Sequence, residues 1–263
     1  MTKNVYLSLL VLTLAGCAGG PPKTPFPAFI QVDELPEVFL ASLPGVRAKS
    51  LAGDPMTRRT SNRVDLPAAW RGTSGGAPGR SQEIFVLAGK LTLADIELGP
   101  DGYAYLPAGS LGFNMSTYDG ARILYSVSDD EPEAVIRSPI IIDTALLEWQ
   151  PTAHPGMATK ELRKDPGTGA TTWLLLIEAD AAVPWASSSA EREGYLVSGD
   201  YQHVECALGE ELAGQYAPGG YFLRPAGIVN GGPLSGGPSR AMWFLRESRK
   251  GSEDTHETGC QSP

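Results

Sequence analysis

The stretch GYAYLPAG at residues 102–109 recurs as GYFLRPAG at residues 220–227, and this recurrence decides the fold. An earlier stretch, EIFVLAG at residues 83–89, recurs as EGYLVSG at residues 193–199. The two offsets are 118 and 110 residues, so one insertion of about eight residues separates the registers. Order and spacing are kept over more than 100 residues, which indicates two copies of one structural unit.

The repeated unit has the pattern of an all-β domain. Each copy alternates short apolar runs with turn residues, and the chain contains 31 glycines and 22 prolines. Short strands with a turn at each end predict an antiparallel barrel or jelly roll. The formal net charge of -9, without any basic stripe, argues against a nucleic-acid partner, because phosphate binding needs clustered Lys and Arg.

The N-terminus has the features of an export signal with an anchor. Residues 5–14 (VYLSLLVLTL) form an apolar segment that is too short to span a bilayer, and LAGC follows at residues 14–17. This order resembles a bacterial lipobox, which implies a signal peptide at residues 1–16, a lipid on Cys17 and a Gly/Pro-rich tether at residues 17–29. The implied partner is the bacterial membrane. The alternative is an ordinary secretory signal with a chance cysteine.

Two further observations concern the location of the chain. The residue after Cys17 is alanine rather than the aspartate that retains some lipoproteins in the inner membrane, which favours the outer membrane of the cell envelope. Export also permits a disulfide between Cys206 and Cys260, which would attach the polar C-terminal tail at residues 248–263 to the second copy. The alternative is two unpaired thiols, since spacing alone does not define the geometry.

The repeated motifs resemble the cupin superfamily. Its two signature segments are a Glu, a short apolar strand and a Gly, followed by a G-x-Y-x-x-x-P-x-G segment, and both copies contain both. The segments around Asp54-Pro55 and Asp165-Pro166 resemble the corresponding segments of two-cupin proteins related to the ChrR-type cupins. The resemblance implies an all-β fold of two tandem cupin-type double-stranded β-helix (jelly-roll) barrels, with repeat 1 at residues 30–130 and repeat 2 at residues 140–247.

The metal ligands of that superfamily are missing here. Cupins usually hold one metal per barrel with an H-x-H pair, a Glu and a third His after the P-x-G turn. This chain has only three histidines, and Gly112 and Asn230 stand where the resemblance puts the third His. A carboxylate with an amide binds a transition metal weakly, so we expect no tightly bound metal and no other cofactor.

The remaining candidate site residues are few. Glu83 and Glu193 keep the identity of the family's carboxylate ligand and are expected to face the barrel cavities, or else to form ion pairs with arginine. The alternative pairs are Glu83 with Arg80 and Glu193 with Arg192. Their spacing to the following Gly is one residue short, which would place Gln82 and Arg192 at the ligand position instead. Asn230 is a candidate to bind a ligand in the second barrel.

The histidines give one further pair. His203 and Glu205 alternate in sequence and therefore project from one face of a strand. They could act as an acid–base pair, although an exposed pair on an edge strand is the simpler interpretation. His154 is expected in a turn, and His256 in the polar tail.

Three functions follow. The first is a lipid-anchored, metal-free module that binds a small molecule or an envelope protein. The second is a metal-independent enzyme of the epimerase or isomerase type, with His203 as base and Tyr201 or Tyr221 as acid. The third is a structural envelope domain.

Overall fold

The computed structural model describes residues 26, 29–54, 59–74, 79–207, 209–247, 249–256 and 259–260. The predicted signal peptide, Cys17 and most of the tether lie outside the described residues. Within the described part, the structure consists of strands and two short 3-10 helices, at Val32–Glu34 and Thr144–Leu146. No helix there has the length and apolar character needed to span a membrane.

The strands occur in two similar series. Those of the N-terminal half are β1 (Ile30–Gln31), β2 (Glu37–Val38), β3 (Arg47–Asp54), β4 (Arg59–Leu66), β5 (Arg71–Ser74), β6 (Arg80–Gly89), β7 (Leu91–Leu93), β8 (Ile96–Leu98), β9 (Tyr103–Leu106), β10 (Phe113–Ser116) and β11 (Ala121–Asp129). Those of the C-terminal half are β12 (Ile140–Ile142), β13 (Gln150–Pro151), β14 (Met157–Lys164), β15 (Thr171–Ile177), β16 (Trp185–Ser188), β17 (Arg192–Ser198), β18 (Tyr201–Ala207), β19 (Glu210–Tyr216), β20 (Gly220–Arg224), β21 (Asn230–Gly231), β22 (Ala241–Glu247) and β23 (Glu253–His256).

Each half forms a barrel from a larger and a smaller antiparallel sheet. In barrel 1, the larger sheet has the order β12-β9-β6-β11-β4-β3-β2 and the smaller sheet the order β5-β10-β7-β8. In barrel 2, the larger sheet has the order β1-β20-β17-β22-β15-β14-β13 and the smaller sheet the order β19-β18-β21-β16-β23. The predicted all-β fold of two tandem jelly-roll barrels is confirmed.

The first strand of each half belongs to the sheet of the other half. Strand β1 pairs with β20, with Ile30 opposite Tyr221, and β12 pairs with β9, with Ile140 opposite Tyr105. Each barrel therefore completes its larger sheet with a strand from the other copy. This exchange joins the two barrels through backbone hydrogen bonds as well as through side chains.

The two larger sheets pack face to face. Their contact is an apolar cluster with side chains from both barrels, in which the rings of Phe85 and Phe244 lie 4.7 Å apart between centroids. Burial of this shared cluster is the main force that holds the barrels together, because apolar burial contributes about 25 cal/mol per Å².

The matched glycines show why the duplicated motif is retained. Gly89 and Gly199 have φ angles of 74° and 84°, a region that favours glycine. A Cβ atom on Gly89 would lie 2.3 Å from the carbonyl oxygen of Gly120, and one on Gly199 would lie 2.3 Å from that of Arg240. Both positions therefore require glycine for the same turn against the neighbouring strand.

Candidate functional site

The two signature carboxylates lie between the barrels rather than in the barrel cavities. Side chains alternate between the faces of a strand, and in β6 Ile84 and Val86 point into the core of barrel 1. Glu83 and Phe85 consequently point to the opposite face, which packs against barrel 2. The prediction that Glu83 and Glu193 face the cavities is therefore wrong. Their spacing to the following Gly, one residue short of the family pattern, had pointed to Gln82 and Arg192 as the inward-facing residues.

Glu83 is the centre of a buried ionic cluster at this interface. Its carboxylate lies 3.4 Å from Nε of Arg163 and 2.8 Å from Nε of Arg246, and it accepts hydrogen bonds from the hydroxyl groups of Tyr103 and Thr172. Burial opposes ionisation, but the two guanidinium groups outweigh it and lower the pKa of Glu83 to about 2. Arg163, Arg246 and Thr172 all belong to barrel 2, so the cluster connects the barrels.

Glu193 belongs to the same interface. It accepts a hydrogen bond of 2.9 Å from the hydroxyl group of Tyr221 and lies 3.3 Å from Nη1 of Arg246. Tyr221 therefore faces the interface and is unsuited to act as an acid in the barrel 2 cavity. The ion pairs observed differ from those expected with Arg80 and Arg192: Glu83 and Glu193 pair with Arg163 and Arg246, while Arg80 pairs with Asp129, at 3.5 Å, and Arg192 with Glu247, at 2.9 Å.

The interior of barrel 1 is filled with apolar side chains. Gln82, at the family's carboxylate-ligand position, is buried and hydrogen-bonded to the Ser74 hydroxyl group. Large side chains of this core include those of Leu43, Trp70, Ile84, Leu91, Leu93, Leu98, Leu106, Met115 and Tyr125. Barrel 1 has the packing expected of a structural domain.

Barrel 2 encloses a cavity of about 160 Å³ between its two sheets. Aromatic side chains form much of its wall, namely Trp173 on β15, Tyr201 on β18, Phe222 on β20 and Trp243 on β22. The rings of Tyr201 and Trp243 meet edge to face, 5.5 Å apart and at 86°. Such a wall is typical of a small-molecule site, which combines apolar surface with a few placed polar groups.

The polar groups of this cavity replace leucines of barrel 1. Barrel 2 has Tyr201 two residues after Gly199 and His203 four residues after it. It also has Arg224, which pairs with Arg192, the residue before Glu193. The residues at these positions in barrel 1 are Leu91, Leu93 and Leu106. The two copies thus share a scaffold but differ in what they place inside it.

His203, Glu205 and Arg224 form a buried hydrogen-bonded group. Arg224 binds both carboxylate oxygens of Glu205, with Nη2 at 2.6 Å and Nε at 2.8 Å, and its Nη2 lies 2.6 Å from Nε2 of His203. His203 is only 6% exposed and Glu205 1% exposed, so the prediction of an exposed edge pair is wrong. Both residues do share one face of β18, as the alternation predicted.

The charges of this group follow from its contacts. Burial lowers the pKa of His203, and Arg224 lowers it further while Glu205 opposes the change, so the imidazole is neutral at pH 7. Burial opposes ionisation of Glu205, but the guanidinium group of Arg224 outweighs it and lowers the pKa of Glu205 to about 2. Among the described residues, the Nδ1 atom of His203 has no hydrogen-bond partner.

Asn230 lies in the wall of the same cavity. Its Nδ2 donates to the carbonyl oxygen of Ala186 at 3.0 Å and to that of Ile228 at 3.3 Å. Arg192, at the family's carboxylate-ligand position, also lines the cavity and stacks near Trp173, with its Cζ 5.3 Å from the ring centroid. Sequence reasoning had not singled out Arg224, Trp173 or Trp243. A position-by-position comparison of the two copies would have found Arg224, because it replaces a leucine.

The C-terminal tail is attached to barrel 2. Strand β23 pairs with β16, and Cys260 forms a disulfide with Cys206, with a Cα–Cα distance of 5.1 Å. Glu253 of this tail lies 2.8 Å from Nη2 of Arg192 and reaches the cavity wall. His256 lies on the same strand, with its Nε2 2.9 Å from the Ser187 hydroxyl group, while His154 lies at the other side of the cavity wall.

The residues of the cavity do not fit a metal ion. Over the described ranges, there is no group of three or more His, Cys, Asp and Glu that could hold one. In barrel 2 the position of the carboxylate ligand carries the cation Arg192, and the nearby carboxylate of Glu205 is neutralised by Arg224. Guanidinium groups repel a metal cation, and the imidazoles of His203 and His154, on different parts of the wall, supply too few donors to offset that repulsion.

One family model covers most of the chain. It is described as a domain of unknown function, DUF4437, and it matches residues 42–253. The chain belongs to the DUF4437 family. This match spans the described strands from β3 to the beginning of β23 and so includes both barrels. No curated protein matches the chain.

Solved structures establish the fold of this DUF4437 member. A candidate dioxygenase from Nostoc punctiforme has a TM-score of 0.70 and 19% identity, over 88% of this chain and 87% of that protein. YlbA from E. coli has a TM-score of 0.67 and 17% identity, over 84% and 90%. A Lactobacillus farciminis oxalate decarboxylase in complex with formate has a TM-score of 0.63 and 8% identity, over 89% and 90%. The chain therefore shares the fold of these structures, which its two jelly-roll barrels form.

Proposed function

We propose that this DUF4437 protein is a two-cupin module that binds a small molecule in barrel 2 without a metal, while barrel 1 is its structural support. The observation that carries the proposal is the replacement of three core leucines of barrel 1 by Tyr201, His203 and Arg224 in barrel 2. A buried polar group is costly unless it serves packing or binding, so a polar cavity on an otherwise shared scaffold favours a binding role.

Filling the cavity should remove binding. Ala186 lines the cavity beside Asn230, and Ala186→Phe would place a ring inside it. In a ligand-observed NMR screen of compounds with up to about 12 non-hydrogen atoms, we expect hits whose affinity falls at least tenfold in this variant. The matched control is Ala213→Phe on β19, where the alanine is exposed and outside the cavity, and it should retain the hits. The absence of any hit in the unaltered protein would contradict the proposal and favour a structural role.

A second candidate function is metal-independent catalysis in the same cavity. It is favoured by the neutral His203 beside Tyr201, whose ring centroid lies 5.7 Å away and whose pKa is raised by burial. A neutral imidazole can accept a proton at Nε2 once that atom is released from Arg224, and a protonated phenol can donate one, as an epimerase or isomerase requires. Turnover of a bound ligand that His203→Ala abolishes would distinguish catalysis from binding alone.

We further propose that Cys17 carries the lipid anchor and that the protein is held on the bacterial cell envelope, with the outer membrane favoured. The support is the order of charged, apolar and small residues up to Cys17. Two or more acyl chains give stable anchoring, so the protein should fractionate with membranes and take up labelled palmitate. Cys17→Ser should lose the label and the membrane association, whereas Cys260→Ser should keep both. Membrane association that persists in Cys17→Ser would contradict this assignment.

A further inference from the structure

The size of the barrel 2 cavity restricts what it can hold. Its volume of about 160 Å³ is close to that of an apolar cavity of about 150 Å³ that binds benzene in another protein. The interior of the cavity therefore suits one six-membered ring with a small substituent, and any larger ligand would extend through its open side.

The walls of the cavity favour a flat ring. Trp173, Tyr201, Phe222 and Trp243 all line it, and the Phe222 and Trp243 rings lie 5.4 Å apart at an angle of 52°. Aromatic rings interact best in offset-stacked or edge-to-face arrangements, and each such contact contributes about 0.5–1.5 kcal/mol beyond area burial. A planar aromatic ring can use several of these walls at once.

The charges around the cavity favour an uncharged ligand. Arg192 is paired with Glu247 at 2.9 Å and with Glu253 at 2.8 Å, and Arg224 is paired with both oxygens of Glu205. Each guanidinium group therefore already has at least one carboxylate partner. An added anion would be repelled by the carboxylates of Glu205, Glu247 and Glu253. It would also lose its hydration without forming an ion pair with an unpaired arginine of this wall.

The hydrogen-bonding groups define where a substituent binds. Nε2 of the neutral His203 lies 2.6 Å from Nη2 of Arg224 and 3.2 Å from Oε1 of Glu205. A guanidinium group can only donate, so the shorter contact assigns the lone pair to Nε2 and the proton to Nδ1. Within the described part of the chain this N–H group has no acceptor, and the Nδ1 atom itself is fully buried in the cavity wall, so a ligand reaches it only when the side chains around it shift. A buried unsatisfied donor costs about 1–3 kcal/mol, which an acceptor oxygen on the ligand would recover.

We infer that the cavity of barrel 2 takes an uncharged, planar, single-ring aromatic molecule whose oxygen accepts a hydrogen bond from His203. The inference rests on the proposed binding function and specifies its ligand class. It follows from four independent features of the same cavity, namely its size, its aromatic walls, its paired arginines and its unpartnered histidine N–H group.

Three isosteric probes test this class on the full-length protein. Benzamide is planar and neutral with a carbonyl acceptor, benzoate is its charged counterpart, and cyclohexanecarboxamide lacks the flat ring. We expect benzamide to bind at least tenfold more tightly than either of the others, as measured by titration followed by NMR. The His203 Nδ1–H resonance of the unaltered protein should move on addition of benzamide, which gives a readout that needs no variant.

The variant His203→Leu introduces the residue that barrel 1 has at the matched position, and it leaves the Arg224–Glu205 pair intact. It should weaken benzamide at least tenfold and bring its affinity close to that of benzene. Benzoate or cyclohexanecarboxamide binding as tightly as benzamide would overturn the inference. Failure of all three probes would also overturn the inference. The binding function would still stand if other compounds bound the unaltered protein and lost affinity in Ala186→Phe. Only the absence of every ligand would contradict both.

Discussion

Replacing Glu83 by Gln should lower the free energy of unfolding by about 3–5 kcal/mol, because it leaves two buried guanidinium groups without their carboxylate. Arg163 and Arg246 lie 3.4 and 2.8 Å from Glu83, and the side chains of Glu83 and Arg163 are less than 10% exposed. Thermal unfolding followed by circular dichroism should show a Tm about 6–20 °C lower in this variant, given roughly 2–4 °C per kcal/mol for a chain of this size.

The matched control for this variant is Glu193→Gln. Glu193 occupies the equivalent position in the second copy, but its ion pair with Arg246 is longer, at 3.3 Å, and its other arginine, Arg59, is shared with Glu191. Its replacement should therefore cost clearly less than that of Glu83. Equal losses in the two variants would contradict the assignment of Glu83 as the centre of the ionic cluster.

The pH dependence of this difference provides a second check. The pKa of Glu83 is about 2 in the folded chain and 4.5 in the absence of the cluster. A lowered folded-state pKa contributes stability that is fully present above pH 4.5 and is lost as the pH falls toward 2. The difference in unfolding free energy between the unaltered protein and Glu83→Gln should be constant above pH 4.5 and shrink below it. A difference that persists unchanged at pH 2 would show that packing, rather than charge, explains the loss.

Removing the disulfide by Cys206→Ser with Cys260→Ser should lower the free energy of unfolding by about 2–4 kcal/mol. The bond closes a loop with a sequence separation of 54 residues, and it constrains the unfolded chain as well as the tail in the folded one. Without it, strand β23 is held by its pairing with β16, the contact of Glu253 with Arg192 and the hydrogen bond of His256 with Ser187. Equilibrium unfolding in urea measures this loss.

A reducing agent supplies the control for the disulfide. Dithiothreitol should destabilise the unaltered protein to the level of the double variant and should leave the double variant unchanged. Because the tail carries Glu253 into the cavity wall, reduction should also increase hydrogen exchange in β16 and β23. Two reactive thiols at Cys206 and Cys260 in the native, unreduced protein would contradict the bond.

The errors made from the sequence have a common physical origin. The side of a strand on which a residue lies depends on parity, so an error of one residue in aligning a signature moves the side chain to the opposite face. Glu83 and Glu193 matched the family's carboxylate by identity, whereas Gln82 and Arg192 lie on the opposite face of their strands, toward the barrel interiors. The same uncertainty applied to His203, whose exposure depends on whether β18 is an edge strand facing solvent or part of a closed barrel.

The sequence by itself determined the duplication, the all-β barrel fold and the loss of the metal-binding histidines. Each of these features is visible in short motifs, because their residues stand beside a Gly or Pro that the chain requires at a turn. The tertiary structure alone decided that the first strand of each copy crosses to the other barrel, that Glu83 is neutralised by two arginines of barrel 2, and that Arg224 lies beside His203. Those contacts join residues far apart in the chain, and strand pairing and sheet packing bring them together only in the folded protein.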